Sequence, residues 1–73
     1  MTKDELLFLI NARKEFEFTY KDKLYTMTYG KDEKGDYIAL GRLYEPVRWY
    51  SFGEMMNQAK IENHFFREIL EIL

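Results

Sequence analysis

The sequence predicts an α+β domain: an N-terminal helix, a four-stranded antiparallel sheet, and two short C-terminal helices packed on one face. Three observations predict it. Apolar residues near the start recur at helical spacing behind a capping motif. Between residues 15 and 50 the period switches to two, in short runs separated by turns. After residue 51 helical spacing returns. Runs of strands followed by helices, joined by hairpin-type connections, give segregated layers rather than a parallel α/β sheet.

Thr2-x-x-Glu5 is a capping box ahead of an apolar run, with Met1 and Leu6 at the positions of a hydrophobic staple. A helix follows from about Lys3 to Ala12. Leu6, Leu7, Leu9 and Ile10 supply its buried stripe, and Phe8 falls partly off it. In Glu15-Phe16-Glu17-Phe18-Thr19-Tyr20, Phe16, Phe18 and Tyr20 share one strand face while Glu15, Glu17 and Thr19 share the other. Tyr25, Met27 and Tyr29 share a face of the next run, Leu24 to Tyr29. A two-residue loop at Lys21-Asp22 sets Phe18 opposite Tyr25 and Phe16 opposite Met27, so both aromatic faces coincide. Neither loop residue is Gly or Asn, so a longer loop stays open.

Gly30 to Asp36 is expected to be a solvated connection. Tyr37-Ile38-Ala39-Leu40 reads as a third strand, Gly41 to Pro46 as a turn or loop, and Val47-Arg48-Trp49-Tyr50 as a fourth strand. Val47 and Trp49 then face the core, with Arg48 and Tyr50 outside. Pro46 suits the start of an edge strand, where a missing N–H does no damage. Ser51-x-x-Glu54 is a second capping box, opening a helix with Phe52, Met55, Met56 and Ala59 on one stripe. Lys60 to His64 breaks it. A last helix carries Phe66, Ile69, Leu70 and Leu73 at i, i+3, i+4 and i+7.

The 73 residues fit one domain, with 47% hydrophobic and 33% charged positions, a composition that folds. There is no Cys, so neither a disulfide nor a thiolate metal site stabilises it. The six Phe, six Tyr and one Trp are the natural substitute, since each buries roughly 150–250 Å². The net charge of −2 lacks the basic footprint of a nucleic-acid binder. No apolar run reaches the ~20 residues of a membrane span. The acidic start, Met1-Thr2-Lys3-Asp4-Glu5, is not a secretory signal, and the lack of Cys fits the cytoplasm.

Chemistry-bearing residues are scarce. A nucleophilic triad needs a base beside its Ser, normally His; Ser51 is better used as a helix cap, and His64 lies in a helix-entry loop. Asp32, Glu33 and Asp36 are interleaved with Lys31 and Lys34 and lack the oxygen-ligand pattern of a calcium loop. Glu15 and Glu17 have a spacing that two-carboxylate hydrolysis could use, but alternating charge is the ordinary surface of a solvent-facing strand. The glycines form no phosphate-cradling loop. No catalytic residue, metal or cofactor is expected.

The segment Arg42-Leu43-Tyr44-Glu45-Pro46-Val47-Arg48-Trp49-Tyr50 is the most suggestive. Arg, Tyr and Trp are enriched at binding hot spots, so Arg42, Tyr44, Arg48, Trp49 and Tyr50 are the candidate protein-binding residues. The same segment also fits a plain edge strand with Trp49 in the core. Arg beside aromatics can stack on bases, which makes a nucleic-acid surface around residues 42–50 the alternative function. Lys14, Lys21, Lys23 and Lys60 each lie close to an acid, so no basic stripe reinforces that alternative.

The run Glu15-Phe16-Glu17-Phe18-x-Tyr20, then Lys23-Leu24-Tyr25-Thr26-Met27, Phe52-Gly53-Glu54-Met55-Met56 with Lys60-Ile61, and Phe66-Arg67-Glu68-Ile69-Leu70 resembles a group of small α+β proteins of Gram-positive bacteria, their phages and mobile elements. Typical members have an Asn-Gly hairpin turn where this chain has Lys21-Asp22, and a Gly near Asn63. The group has no established activity, so the resemblance implies context only: a cytoplasmic accessory protein carried by a phage or mobile element. The expected function is therefore non-catalytic binding of another protein, with inhibition of a host protein by occlusion as the analogy suggested by that context. The fourth strand, as an edge, is also expected to be able to pair with its own copy in a homodimer.

Overall fold

The computed structural model describes residues 1–73. Helix α1 (Lys3–Asn11) is followed by strands β1 (Phe16–Tyr20), β2 (Lys23–Asp32), β3 (Gly35–Arg42) and β4 (Glu45–Trp49). Helix α2 (Phe52–Gln58), short strands β5 (Lys60–Ile61) and β6 (His64–Phe65), and helix α3 (Phe66–Leu70) complete the chain. The fold is α+β, with three helices and a four-stranded antiparallel meander in the order β1-β2-β3-β4.

The start of α1 is set by its capping box. The Thr2 hydroxyl accepts from the Glu5 N–H, and Glu5 accepts from the Thr2 N–H. Two orphan donors of the first turn are thereby satisfied. Met1 packs against the core, and its ammonium donates to the carbonyls of Leu70 and Leu73 at 3.2 and 2.9 Å. The first residue thus closes the open end of the last helix.

The β1–β2 register pairs Phe16 with Met27 and Phe18 with Tyr25 across a two-residue turn. Lys21 and Asp22 both adopt positive φ, 50° and 62°, the conformation of a type I′ turn. Register fixed by burial prevails here over weak turn chemistry: a one-residue slip of either strand would turn its own apolar set, Phe16 and Phe18 or Tyr25 and Met27, to the solvent side.

Three expected boundaries are corrected. Gly30 to Asp36 is not a loop: β2 runs on to Asp32, β3 starts at Gly35, and only Glu33 and Lys34 turn. The Asp32 side chain accepts from the Lys34 N–H at 2.8 Å, an Asx turn that closes the hairpin tightly. Gly41, Arg42, Glu45 and Pro46 belong to strands, and only Leu43 and Tyr44 turn. The break at 60–64 is itself a small hairpin, β5 against β6, with Glu62 and Asn63 at positive φ. The Ser51 cap is half of the expected box: its hydroxyl accepts from the Glu54 N–H at 3.0 Å with no reciprocal bond from Glu54.

The core is one cluster. Phe18, Tyr25, Met27, Ile38 and Leu40 share the inner face of the sheet and join Leu6, Met55, Met56, Ala59, Ile61, Phe66, Ile69 and Leu70. Phe66, Leu6, Met27 and Met55 are the largest fully buried side chains. Phe18 meets the Phe66 ring at 5.9 Å and the Tyr25 ring at 5.5 Å, separations typical of favourable aromatic pairs. Val47, expected in this core, faces the same side but stays 52% exposed, because β4 is an edge and the buried cluster stops short of it.

Candidate binding surface

The structure divides the five candidate residues among three places. Trp49 lies opposite Ile38 on the inner face, half-buried and packed against the core. It lines a cleft of about 320 Å³ beside α1, with Leu7, Ile10 and Phe52, at whose mouth Arg13 and Asp36 form an ion pair at 3.2 Å. Trp49 is therefore a packing residue with one accessible flank.

Arg48 and Tyr50 project from the outer side of the sheet and converge on Asp32. Asp32 Oδ2 accepts from the Tyr50 hydroxyl at 2.6 Å and from Arg48 Nη1 at 2.9 Å. The Arg48 guanidinium lies 4.4 Å from the Tyr37 ring centroid, and Tyr37 meets Tyr50 edge-on at 6.2 Å. Gly30 makes this possible: a Cβ there would overlap the Tyr37 hydroxyl and ring. The Tyr50 hydroxyl is the main cause that holds the Asp32 carboxyl below its ordinary pKa, with the Lys34 amide and Arg48 adding to it and desolvation opposing. Reciprocally, Asp32 raises the pKa of Tyr50 and of Arg48. Arg48 and Tyr50 thus have partners within the domain. Asp32, reached from 16 and 18 residues away, is the member sequence reasoning missed as their partner.

Arg42 and Tyr44 stand at the end of the β3–β4 hairpin. Tyr44, at the turn, is 91% exposed, beside Leu43 at 57%. Leu24, Arg42, Leu43, Tyr44 and Glu45 line one open depression of about 370 Å³. Leu24 comes from the outer side of β2 and is 45% exposed. The Arg42 guanidinium sits 5.9 Å from the Tyr25 ring, and Arg42 pairs across the ladder with Glu45. Deeper along the same end, Glu62 accepts from Lys23 Nζ at 2.8 Å and from the Tyr25 hydroxyl at 3.1 Å. Lys23 is the first cause that holds the Glu62 pKa down, and Glu62 raises that of Lys23.

Ser51 caps α2, and His64 is exposed in β6. Glu15 is exposed just before β1, and Glu17 is exposed opposite Thr26. No group of three or more His, Asp or Glu stands where it could hold a metal ion. No helix is long and apolar enough to cross a membrane. Comparison with protein-family models, curated proteins and solved structures finds no match.

Proposed function

We propose that this chain is a small non-catalytic module that acts by binding another protein through the free end of the β3–β4 hairpin, so occluding the surface it covers. The observation that carries the proposal is the exposure of Tyr44, Leu43 and Leu24 around one depression with Arg42 at its side. Contiguous apolar surface on a small domain marks an interaction site more often than scattered single residues do. Tyr and Arg are the side chains that most often carry interface energy, because they offer large, rigid contact area with a polar end. The proposal takes the three helices as one layer against the inner face, which leaves this end free to dock. The resemblance to small proteins of Gram-positive bacteria and their phages extends it to inhibition of a host protein in the cytoplasm.

The nucleic-acid alternative draws on Arg42 and Arg48. Arg48 is already paired with Asp32, and Arg42 stands across from Glu45. With Arg48 neutralised by Asp32 and a net charge of −2, the surface releases few counterions, so that alternative has the weaker support.

The test is capture of partners from host lysate with tagged wild-type chain and with a Leu43→Ala/Tyr44→Ala variant, each with and without nuclease treatment. A single protein captured by wild type and lost by the variant supports the proposal. Equal capture by both, or capture that vanishes with nuclease, rejects it.

A further inference from the structure

The meander leaves two free edges, β1 and β4, and they differ as templates for another strand. The type I′ turn at Lys21-Asp22 makes Tyr20 and Lys23 a hydrogen-bonded pair. Alternation then assigns the N–H and C=O groups of Phe16, Phe18 and Tyr20 to β2, and turns those of Glu17 and Thr19 outward. No turn, loop or side-chain hydrogen bond engages the β1 backbone. Counting likewise from Arg42 opposite Glu45, the outward positions of β4 are Pro46 and Arg48. Pro46 has no N–H, and antiparallel self-pairing centred on Arg48 sets two guanidiniums face to face.

Strand β1 is complementary to itself. In an antiparallel register centred on Phe18, Glu17 faces Thr19 of a second copy and Phe16 faces Tyr20, each pair occurring twice. The outward-turned residues Glu17 and Thr19 then supply the ladder bonds. Opposite charges directly across a ladder are favourable, and like charges are not. Centring the pairing on Glu17 instead sets Glu17 against Glu17. Centring it on Thr19 runs Phe16 against Asp22 of the turn and shortens the overlap.

The inner side of this edge supports the same register. Between α1 and β1 lies an open cleft of about 570 Å³ lined by Met1, Asp4, Glu5, Phe8, Leu9 and Phe16. Phe8 is 64% exposed there. The Phe18-centred register delivers Tyr20 of the second copy beside Phe16, at the mouth of that cleft. Exposed aromatic and aliphatic side chains are thereby covered in the same step that satisfies the edge.

We propose that the chain forms a two-fold dimer by antiparallel pairing of β1 with β1 of a second copy, in the register centred on Phe18. The two four-stranded sheets become one continuous sheet. The β1 edge is distinct from the partner-binding depression at the β3–β4 hairpin, although Leu24 of that depression lies opposite Thr19 on the ladder.

Sedimentation equilibrium across a dilution series tests this with variants at exposed Thr19. Thr19→Lys sets a cation opposite Glu17 twice per dimer and tightens association. Thr19→Glu sets an anion there and weakens it. The dissociation constants of the two variants should differ by about tenfold or more, and the gap should narrow with salt. Val47→Lys on β4 leaves dimerisation unchanged, and circular dichroism verifies that each variant keeps its fold. Three results overturn the proposal: a wild type and Thr19→Lys that both remain monomeric up to about 1 mM, the limit of weak association; Thr19 variants with equal dissociation constants; or a dimer abolished by Val47→Lys.

Discussion

Replacing Gly30 with Ala tests whether the aromatic arrangement on the outer side of the sheet is held by the absence of one methyl group. The new Cβ would fall inside the Tyr37 hydroxyl and Cζ, and 3.0 Å from Cε1. Gly30 has no positive φ, so the backbone itself accepts Ala. The ring must therefore swing away. That loses the stack on Arg48, about 0.5–1 kcal/mol for an exposed cation–π pair, and the edge contact with Tyr50, about 0.5–1.5 kcal/mol. Ala for Gly in a strand offsets about 0.5–1 kcal/mol of this through lower chain entropy. The expected net loss is about 1 kcal/mol, or roughly 4–8 °C in Tm for a domain of this size. The assay is urea unfolding of four proteins: wild type, Gly30→Ala, Tyr37→Ala and the double variant. With Tyr37 truncated, nothing opposes the methyl group, and Gly30→Ala should change sign and stabilise by about 0.5–1 kcal/mol. An equal loss in both backgrounds would refute the steric account.

Three further outcomes follow from the same structure. Lys21→Asn with Asp22→Gly suits both positive-φ positions of the type I′ turn and should raise stability by about 1–2 kcal/mol, read from the urea midpoint at constant m. Phe66→Ala empties the centre of the core and should cost about 3–5 kcal/mol, enough to leave the chain largely unfolded at 37 °C by circular dichroism. Asp32 and Glu62 have pKa values lowered by Tyr50 and Lys23 respectively. Carboxyls depressed on folding contribute above their unfolded values, 3.8 and 4.5, and lose that contribution as pH falls through the folded ones. Acid unfolding should therefore be shallower in Asp32→Asn and Glu62→Gln, and an unchanged acid limb in both would contradict the pairing.

The first hairpin was legible because its period-two alternation is strong and burial leaves one register. Phe16, Phe18, Tyr25 and Met27 carry that information without help from the turn, whose Lys and Asp give a misleading signal. The second and third turns were harder to place for the opposite reason. Gly30, Lys31, Asp32, Gly35 and Asp36 have loop composition, yet they extend a ladder beyond the core, where no burial pattern marks a strand. Glycine at 30 records the approach of the Tyr37 ring rather than a turn, and only the fold reveals the ring. The β5–β6 hairpin has two residues per strand, too few for any period. At the candidate surface, the aromatic and Arg content of residues 42–50 was visible, but its division was not. Whether an Arg is free depends on whether a carboxylate such as Asp32 arrives from a distant strand.

The ammonium of Met1 bonded to the last carbonyls of the chain places the two ends side by side. A short linker could join them without crossing the sheet, and the chain could then be reopened at the exposed Glu33-Lys34 turn. Such a permuted molecule would begin with β3 and β4 and close with the first hairpin, reversing which half of the meander emerges first during synthesis. Retention of its native far-ultraviolet spectrum would show that the packing, not the order of appearance, selects this topology.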